Sequence, residues 1–190
     1  MAIESPAFTL EKSDGPFEIR SYGMTIIAET RVQGDFESAG SQGFRRLADY
    51  IFGNNRSRTR IDMTAPVRQE EMSEKIEMTA PVAQRAEGNT YIIAFTMPTA
   101  YTMETLPIPI DPAVSVRQEF ARRTAVITYS GFWSQSRYEE KLAELKAWMK
   151  LQGLQEAGEP VFARYNPPWM PWFLRRNEIM WEIRDTANKP

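Results

Sequence analysis

The strongest constraint on how this chain folds is an internal echo. A β-branched strand, a glycine, a short aromatic-bearing segment and an amphipathic helix closed by glycine run from Thr25 to Gly53, and the same succession runs from Thr124 to Gly153. In the first unit Met24 to Val32 reads as a strand, Gly34 ends it, and the Asp35 carboxylate is placed to cap the free N–H groups of a helix. Phe36, Gly40, Gly43 or Phe44, Leu47 and Ile51 then share one helical stripe until Gly53-Asn54-Asn55 stops it, which predicts helix one from Asp35 to Phe52. In the second unit Ser136-Arg137-Tyr138-Glu139 has the form of a capping box, and Tyr138, Leu142, Leu145 and Met149 recur at helical spacing up to Gly153. Each helix has one apolar face to bury, and a sheet shared by two such units buries both. The reading is an α+β chain, a distorted, mainly antiparallel β-barrel or sheet with two packed helices. It is built as two pseudo-repeated halves in one domain over residues 1–190, with the half boundary near 100–113.

The remaining strands follow from period-two alternation and turn chemistry. Asp14-Gly15-Pro16 separates two alternating runs, Phe8 to Glu11 and Phe17 to Arg20, as a hairpin. Tyr91 to Met97, Val114 to Phe120, Thr124 to Tyr129, Pro160 to Tyr165 and Glu178 to Arg184 read as strands, and the proline-bearing stretch from Thr99 to Pro112 as a surface connection. Two near-identical heptapeptides, Ile61 to Val67 and Ile76 to Val82, lie fifteen residues apart and alternate in the same way. They predict two paired strands with Met63 and Met78 pointing into apolar surroundings. Their carboxylates, Asp62 and Glu77, occupy equivalent positions, but nothing in the sequence makes them converge as an acid/base pair.

Composition closes off several chemistries. The chain has no cysteine, so it has no disulfides, thiolate metal sites or cysteine nucleophile, and no histidine, so imidazole ligation and imidazole general-base catalysis are absent. No spacing matches a metal site or a phosphate loop, and no catalytic residues are identified; the expectation is a protein that is not an enzyme. Lys and Arg number 23 against 25 Asp and Glu, which leaves no basic excess for nucleic acid. No run approaches the ~20 apolar residues of a membrane span, and the N-terminus lacks a leader pattern, so a cytoplasmic protein without stable membrane insertion is expected.

Four blocks carry a family resemblance: Phe17 to Tyr22, the helix-one segment Gly43 to Asn55, the Met-Thr-Ala-Pro-Val repeats, and Tyr165-Asn166-Pro167-Pro168 with Arg176 to Trp181. Together, and in this order, they resemble the SOUL haem-binding family. The resemblance implies a distorted barrel of two similar halves carrying two helices, with haem held non-covalently in a mainly apolar cleft beside helix one. The fold is also similar to effector-binding modules of multidrug-responsive regulators. That likeness implies the alternatives of a module for other apolar small molecules or an interaction scaffold without haem. In one branch of the family a histidine ligates the iron; Ser21 holds that position here, which leaves macrocycle contact, propionate pairing with arginine, or a weak Met, Tyr or Lys ligand.

The candidate ligand-contact residues are Phe36, Gly40, Gly43, Phe44, Leu47, Arg175 and Arg176. Gly40 and Gly43 each cost about 1 kcal/mol relative to Ala inside a helix, so something compensates. They read either as a flat surface for a porphyrin face flanked by Phe36, Phe44 and Leu47, or as the place where helix packs closely on sheet. In the family's haem-binding branch an apolar residue sits where Phe44 lies, and Ser41 replaces an arginine one turn earlier. Arg175 and Arg176 adjoin the aromatic, proline-rich stretch from Asn166 to Phe173, which reads as a lid on a pocket, a partner-docking patch or a flap sealing the barrel, and are suited to clamp a propionate.

Overall fold

The computed structural model describes residues 3–58 and 73–184. The elements in chain order are β1 (Phe8–Asp14), β2 (Phe17–Tyr22), β3 (Thr25–Gln33), α1 (Phe36–Ile51), β4 (Asn55–Arg56), β5 (Val82–Glu87), β6 (Thr90–Thr96), β7 (Ile108–Pro109), β8 (Val114–Glu119), β9 (Arg122–Tyr129), α2 (Gln135–Leu151), β10 (Gln155–Arg164) and β11 (Asn177–Arg184). Nine of the strands form one antiparallel sheet in the order β1-β2-β9-β11-β10-β5-β6-β3-β8, while β4 and β7 pair separately. Its end strands β1 and β8 pair on one side only, so the sheet is not closed into a barrel.

The internal echo is visible in that order. About the β5–β10 junction, β6 answers β11, β3 answers β9 and β8 answers β2, with α1 following β3 as α2 follows β9. The strand preceding each unit crosses over: β2 precedes β3 but pairs with β9, and β8 precedes β9 but pairs with β3. Neither half therefore completes its own edge. The junction itself is narrow, with Val82–Arg85 of β5 facing Val161–Arg164 of β10.

Both helices lie on one face of the sheet. Under α1, Leu47, Tyr50 and Ile51 pack on Ala28, Val32, Ile93 and Phe95; under α2, Leu145, Trp148 and Met149 pack on Ala125, Ile127, Ile179 and Trp181. Phe36 joins the two layers, stacking on Tyr138 at 5.2 Å and tilting onto Phe162 at 5.4 Å. Asp35 caps α1 by accepting from the Glu37 and Ser38 amides, and Gly53 and Gly153 follow the two helices at φ +124° and +67°, conformations that favour glycine.

Two local expectations are revised. The cap of α2 is Ser134, which accepts from the Arg137 amide at 3.3 Å, and Glu139 of the apparent capping box instead accepts from Gln135 at 2.7 Å. Residues 74–81 form no regular strand: Ile76 donates its amide to Ile51 O at 2.8 Å, and Thr79 makes an isolated bridge to Glu4. Pro81 has no ladder donor, and the strand begins after it as β5. Ile76 is buried there and Met78 is half-buried against the α1 core. The first heptapeptide, with Met63 and Asp62, lies outside the described residues.

Candidate functional site

Strand alternation sends every second side chain to the face opposite the helices. While Ala28, Ile93 and Ile179 pack under helices, their neighbours Ile27, Glu29, Ile92, Ala94, Met180 and Glu182 turn outward and line a cleft of about 370 Å³. That size falls within the range of about 300–1,000 Å³ typical of small-molecule sites. Its apolar wall is Ile27, Ile92, Val161 and Met180, with the rings of Tyr22 and Tyr165 at one end and the exposed Phe120 at the other strands' turn.

Three arginines line the same cleft: Arg85, Arg117 and Arg122. Arg117 is matched by Glu29 at 3.0 Å. Arg122 sits over the Tyr22 ring at 5.3 Å, and its Nη1 pairs with Glu119 at 2.5 Å. Arg85 is half-buried and pairs with no carboxylate among the described residues. Glu119, Glu159 and Glu182 also line the cleft, so it is a mixed-charge site in which Arg85 is the guanidinium open to an incoming carboxylate.

One end of the cleft is fixed by the blocks near the two ends of the chain that carry the family resemblance, which converge on Glu178. Arg20 of β2 binds Glu178 of β11 bidentately at 3.0 Å, with both side chains almost fully buried. Tyr165 donates to Glu178 at 2.6 Å, Arg176 at 2.6 Å, and Arg20 also donates to the Tyr22 oxygen at 3.1 Å. Burial pushes the Glu178 carboxyl up, but the hydrogen bonds and charge of Arg20, with Tyr165 and Arg176, outweigh it and hold the group below the ordinary carboxylate range. Burial raises the Tyr22 and Tyr165 phenols, so both are neutral at physiological pH. These motif residues thus form a buried brace that positions the two cleft tyrosines.

The residues singled out in the sequence occupy other places. Phe36, Gly40, Gly43 and Leu47 are buried on the inner face of α1. A Cβ on Gly43 would overlap the Ile93 side chain, and one on Gly40 would overlap Arg164 and lie 2.7 Å from the Gln84 amide oxygen. Their small size lets α1 sit down on β6 and β5. Phe36 also walls a second cleft of about 280 Å³ between the starts of the two helices, with Tyr91 and Tyr138. Phe44 is half-buried, edge-on to Phe95 at 5.6 Å. Arg176 pairs with Glu178 and covers the Tyr165 ring at 4.3 Å, whereas Arg175 donates to the Met170 and Pro168 carbonyls and covers Trp133 at 4.4 Å. Arg164 and Trp133 lie between Gly40 and Arg175, and burial pushes the Arg164 guanidinium down to about 10. The structure groups the helix-one residues together but does not join them to the two arginines in one cleft.

Arg85, Arg117, Arg122, Glu29, Tyr22, Tyr165 and Met180 had not been singled out as cleft residues. The available signal is alternation within a strand, as in β11, where Met180 and Glu182 of the cleft alternate with Ile179, Trp181 and Ile183 of the core.

The SOUL heme-binding protein family model matches residues 3–182. Heme-binding protein 2 of Homo sapiens is 28% identical over 196 aligned positions, covering 100% of this chain and 89% of that protein. Heme-binding protein 1 of Xenopus laevis is 24% identical, covering 92% and 87%. Among solved structures, the EcmrR C-terminal domain superposes with a TM-score of 0.64 at 10% identity, covering 88% of this chain and 96% of that one, which shows a shared fold. With the family model covering nearly the whole described chain, this protein belongs to the SOUL heme-binding protein family.

Proposed function

We propose that this protein binds haem or a related tetrapyrrole non-covalently, as a buffer or carrier, in the cleft on the helix-free face of the sheet. The observation that carries the reading is the Arg85 guanidinium, which pairs with no carboxylate among the described residues, beside an apolar wall. A tetrapyrrole is an apolar disc with carboxylates on one edge, so the wall of Ile27, Ile92, Val161 and Met180 would take the disc and the arginines its propionates. Membership of the SOUL family and the names of the curated relatives support the same ligand. With no histidine or cysteine in the chain, affinity comes from these contacts rather than from an imidazole or thiolate bond to iron. No catalytic step is proposed.

A second reading, a site for apolar cations, draws on Glu29, which is 6% exposed in the same cleft. Glu29 is paired with Arg117 at 3.0 Å, but Glu119, Glu159 and Glu182 line the same cleft, so the lining charge does not choose between the two readings. Titrating the purified protein with haemin, iron-free protoporphyrin and a lipophilic phosphonium cation separates the two. Comparable saturable binding of haemin and protoporphyrin, with weak binding of the cation, is expected. Tight cation binding with no porphyrin binding would transfer the site to the second reading, and no porphyrin binding at all would refute the first.

A further inference from the structure

The loop between β10 and β11 displays large apolar side chains that the fold does not cover. Trp169 is 82% exposed, Leu174 62%, Phe173 58% and Trp172 48%. Phe132, itself exposed, stacks on Trp172 at 5.3 Å and extends the cluster to the segment that leads into α2. Single exposed apolar residues are ordinary; five together on one loop pair mark a surface that meets something apolar.

The cluster is held in this outward arrangement. Arg175 donates to the Met170 carbonyl at 2.8 Å and the Pro168 carbonyl at 2.6 Å, and the Arg176 amide donates to Asn166 at 2.6 Å. The Gly131 amide binds the Trp172 carbonyl at 3.1 Å, and the Leu174 amide binds the Pro171 carbonyl at 3.0 Å. Pro167, Pro168 and Pro171 stiffen the backbone further. The aromatic residues are therefore presented before any partner arrives, which lowers the ordering cost of contact.

Charge identifies the partner. The chain carries a net charge of −2, yet Tyr165 to Arg176 contains no acidic residue and two arginines, and Ser130 to Arg137 contains no acidic residue. Arg176 is matched by Glu178, but among the described residues Arg175 meets only carbonyls and the Trp133 ring, and no carboxylate among them neutralises its charge. Tryptophan with Phe and Leu beside a cation is the composition that settles at the headgroup level of a bilayer, with rings at the polar boundary and apolar ends in the acyl region. We propose that this loop docks the protein reversibly on anionic phospholipid bilayers. No helix among the described residues is long and apolar enough to cross a membrane, so the contact is peripheral. Tyr165 at the root of the loop lines the cleft, which places the cleft near the docked surface whatever ligand it holds.

The test is co-sedimentation of the full chain with vesicles of phosphatidylcholine alone and of phosphatidylcholine with phosphatidylserine, together with tryptophan quenching by brominated lipid. The unmodified protein is expected to bind the serine-containing vesicles in a salt-sensitive way and to be quenched by bromine in the acyl region. Trp169→Ser combined with Leu174→Ser is expected to weaken binding by about tenfold or more. Leu151→Ser, at an 84% exposed position on α2, is expected to change nothing. Failure to bind anionic vesicles, equal binding to neutral ones, absence of quenching, or undiminished binding of the double variant would each overturn the proposal. Self-association of the unmodified protein that the double variant abolishes, without lipid binding, would make the surface a protein interface instead.

Discussion

Glu178 is fully buried, ionised and shared by Arg20, Arg176 and Tyr165, so it is the side chain whose loss the fold tolerates least. A buried ion pair is only weakly stabilising against an apolar replacement, but removing one partner leaves the other charge buried and unmatched. Glu178→Ala leaves Arg20, which is 2% exposed, with Glu18 at 2.6 Å as its remaining carboxylate partner, and is expected to cost about 3 kcal/mol in urea unfolding. A loss below about 1 kcal/mol would show that the brace does not hold the sheet. The pH dependence follows from the lowered carboxyl of the folded state. Its contribution is fully present above the ordinary carboxylate range and is lost as pH falls through the folded value. Stability should therefore decline below about pH 4, and Glu178→Gln should flatten that part of the profile.

Helix α1 illustrates how packing overrules propensity. Gly43→Ala gains about 1 kcal/mol of helix propensity, yet its new methyl overlaps Ile93, so net destabilisation in thermal melts is expected; a raised melting temperature would contradict the close helix–sheet contact. For α2, Ser134→Ala should cost about 1 kcal/mol and Ser136→Ala little, because Ser134 holds the Arg137 amide. The elements that were legible in the sequence are those whose pattern is strong and local: both helices, the β1–β2 hairpin and the strands before each helix. The sequence points to Ser136 as the cap of α2 because Glu139 completes a capping-box pattern behind it; Ser134 stands two positions earlier, and only tertiary position selects it. Strand β5 was hidden because Gln84, Arg85 and Glu87 give it a polar sequence. Gln84 faces inward to bind the Phe36 carbonyl at 2.7 Å, and Arg85 lines the cleft. The cleft was illegible for a related reason: its walls come from strands far apart in sequence, and no local motif records which outward faces meet.

The crossed strands bind the two halves into one object. Because β2 completes the edge of β9 and β8 that of β3, a chain cut within the connection between β6 and β8 would leave each half with an inner strand paired on one side only. Separately expressed halves are expected to aggregate or remain unfolded, and to recover structure only when mixed; an independently folded half would contradict the interlocked sheet. The same sheet creates the binding face, since two helices covering one side leave the other to curve around the cleft. The central claim is that this helix-free face, rather than the surface of α1, holds the tetrapyrrole. Equilibrium titration of haemin into Arg85→Ala combined with Arg122→Ala, beside Phe44→Ala, tests it directly, with binding scaled to the folded fraction of each variant. The account predicts that the double arginine variant binds at least about tenfold more weakly while Phe44→Ala binds as the unmodified protein does. Unchanged affinity in the arginine variant with loss in Phe44→Ala would place the ligand beside helix one and contradict it.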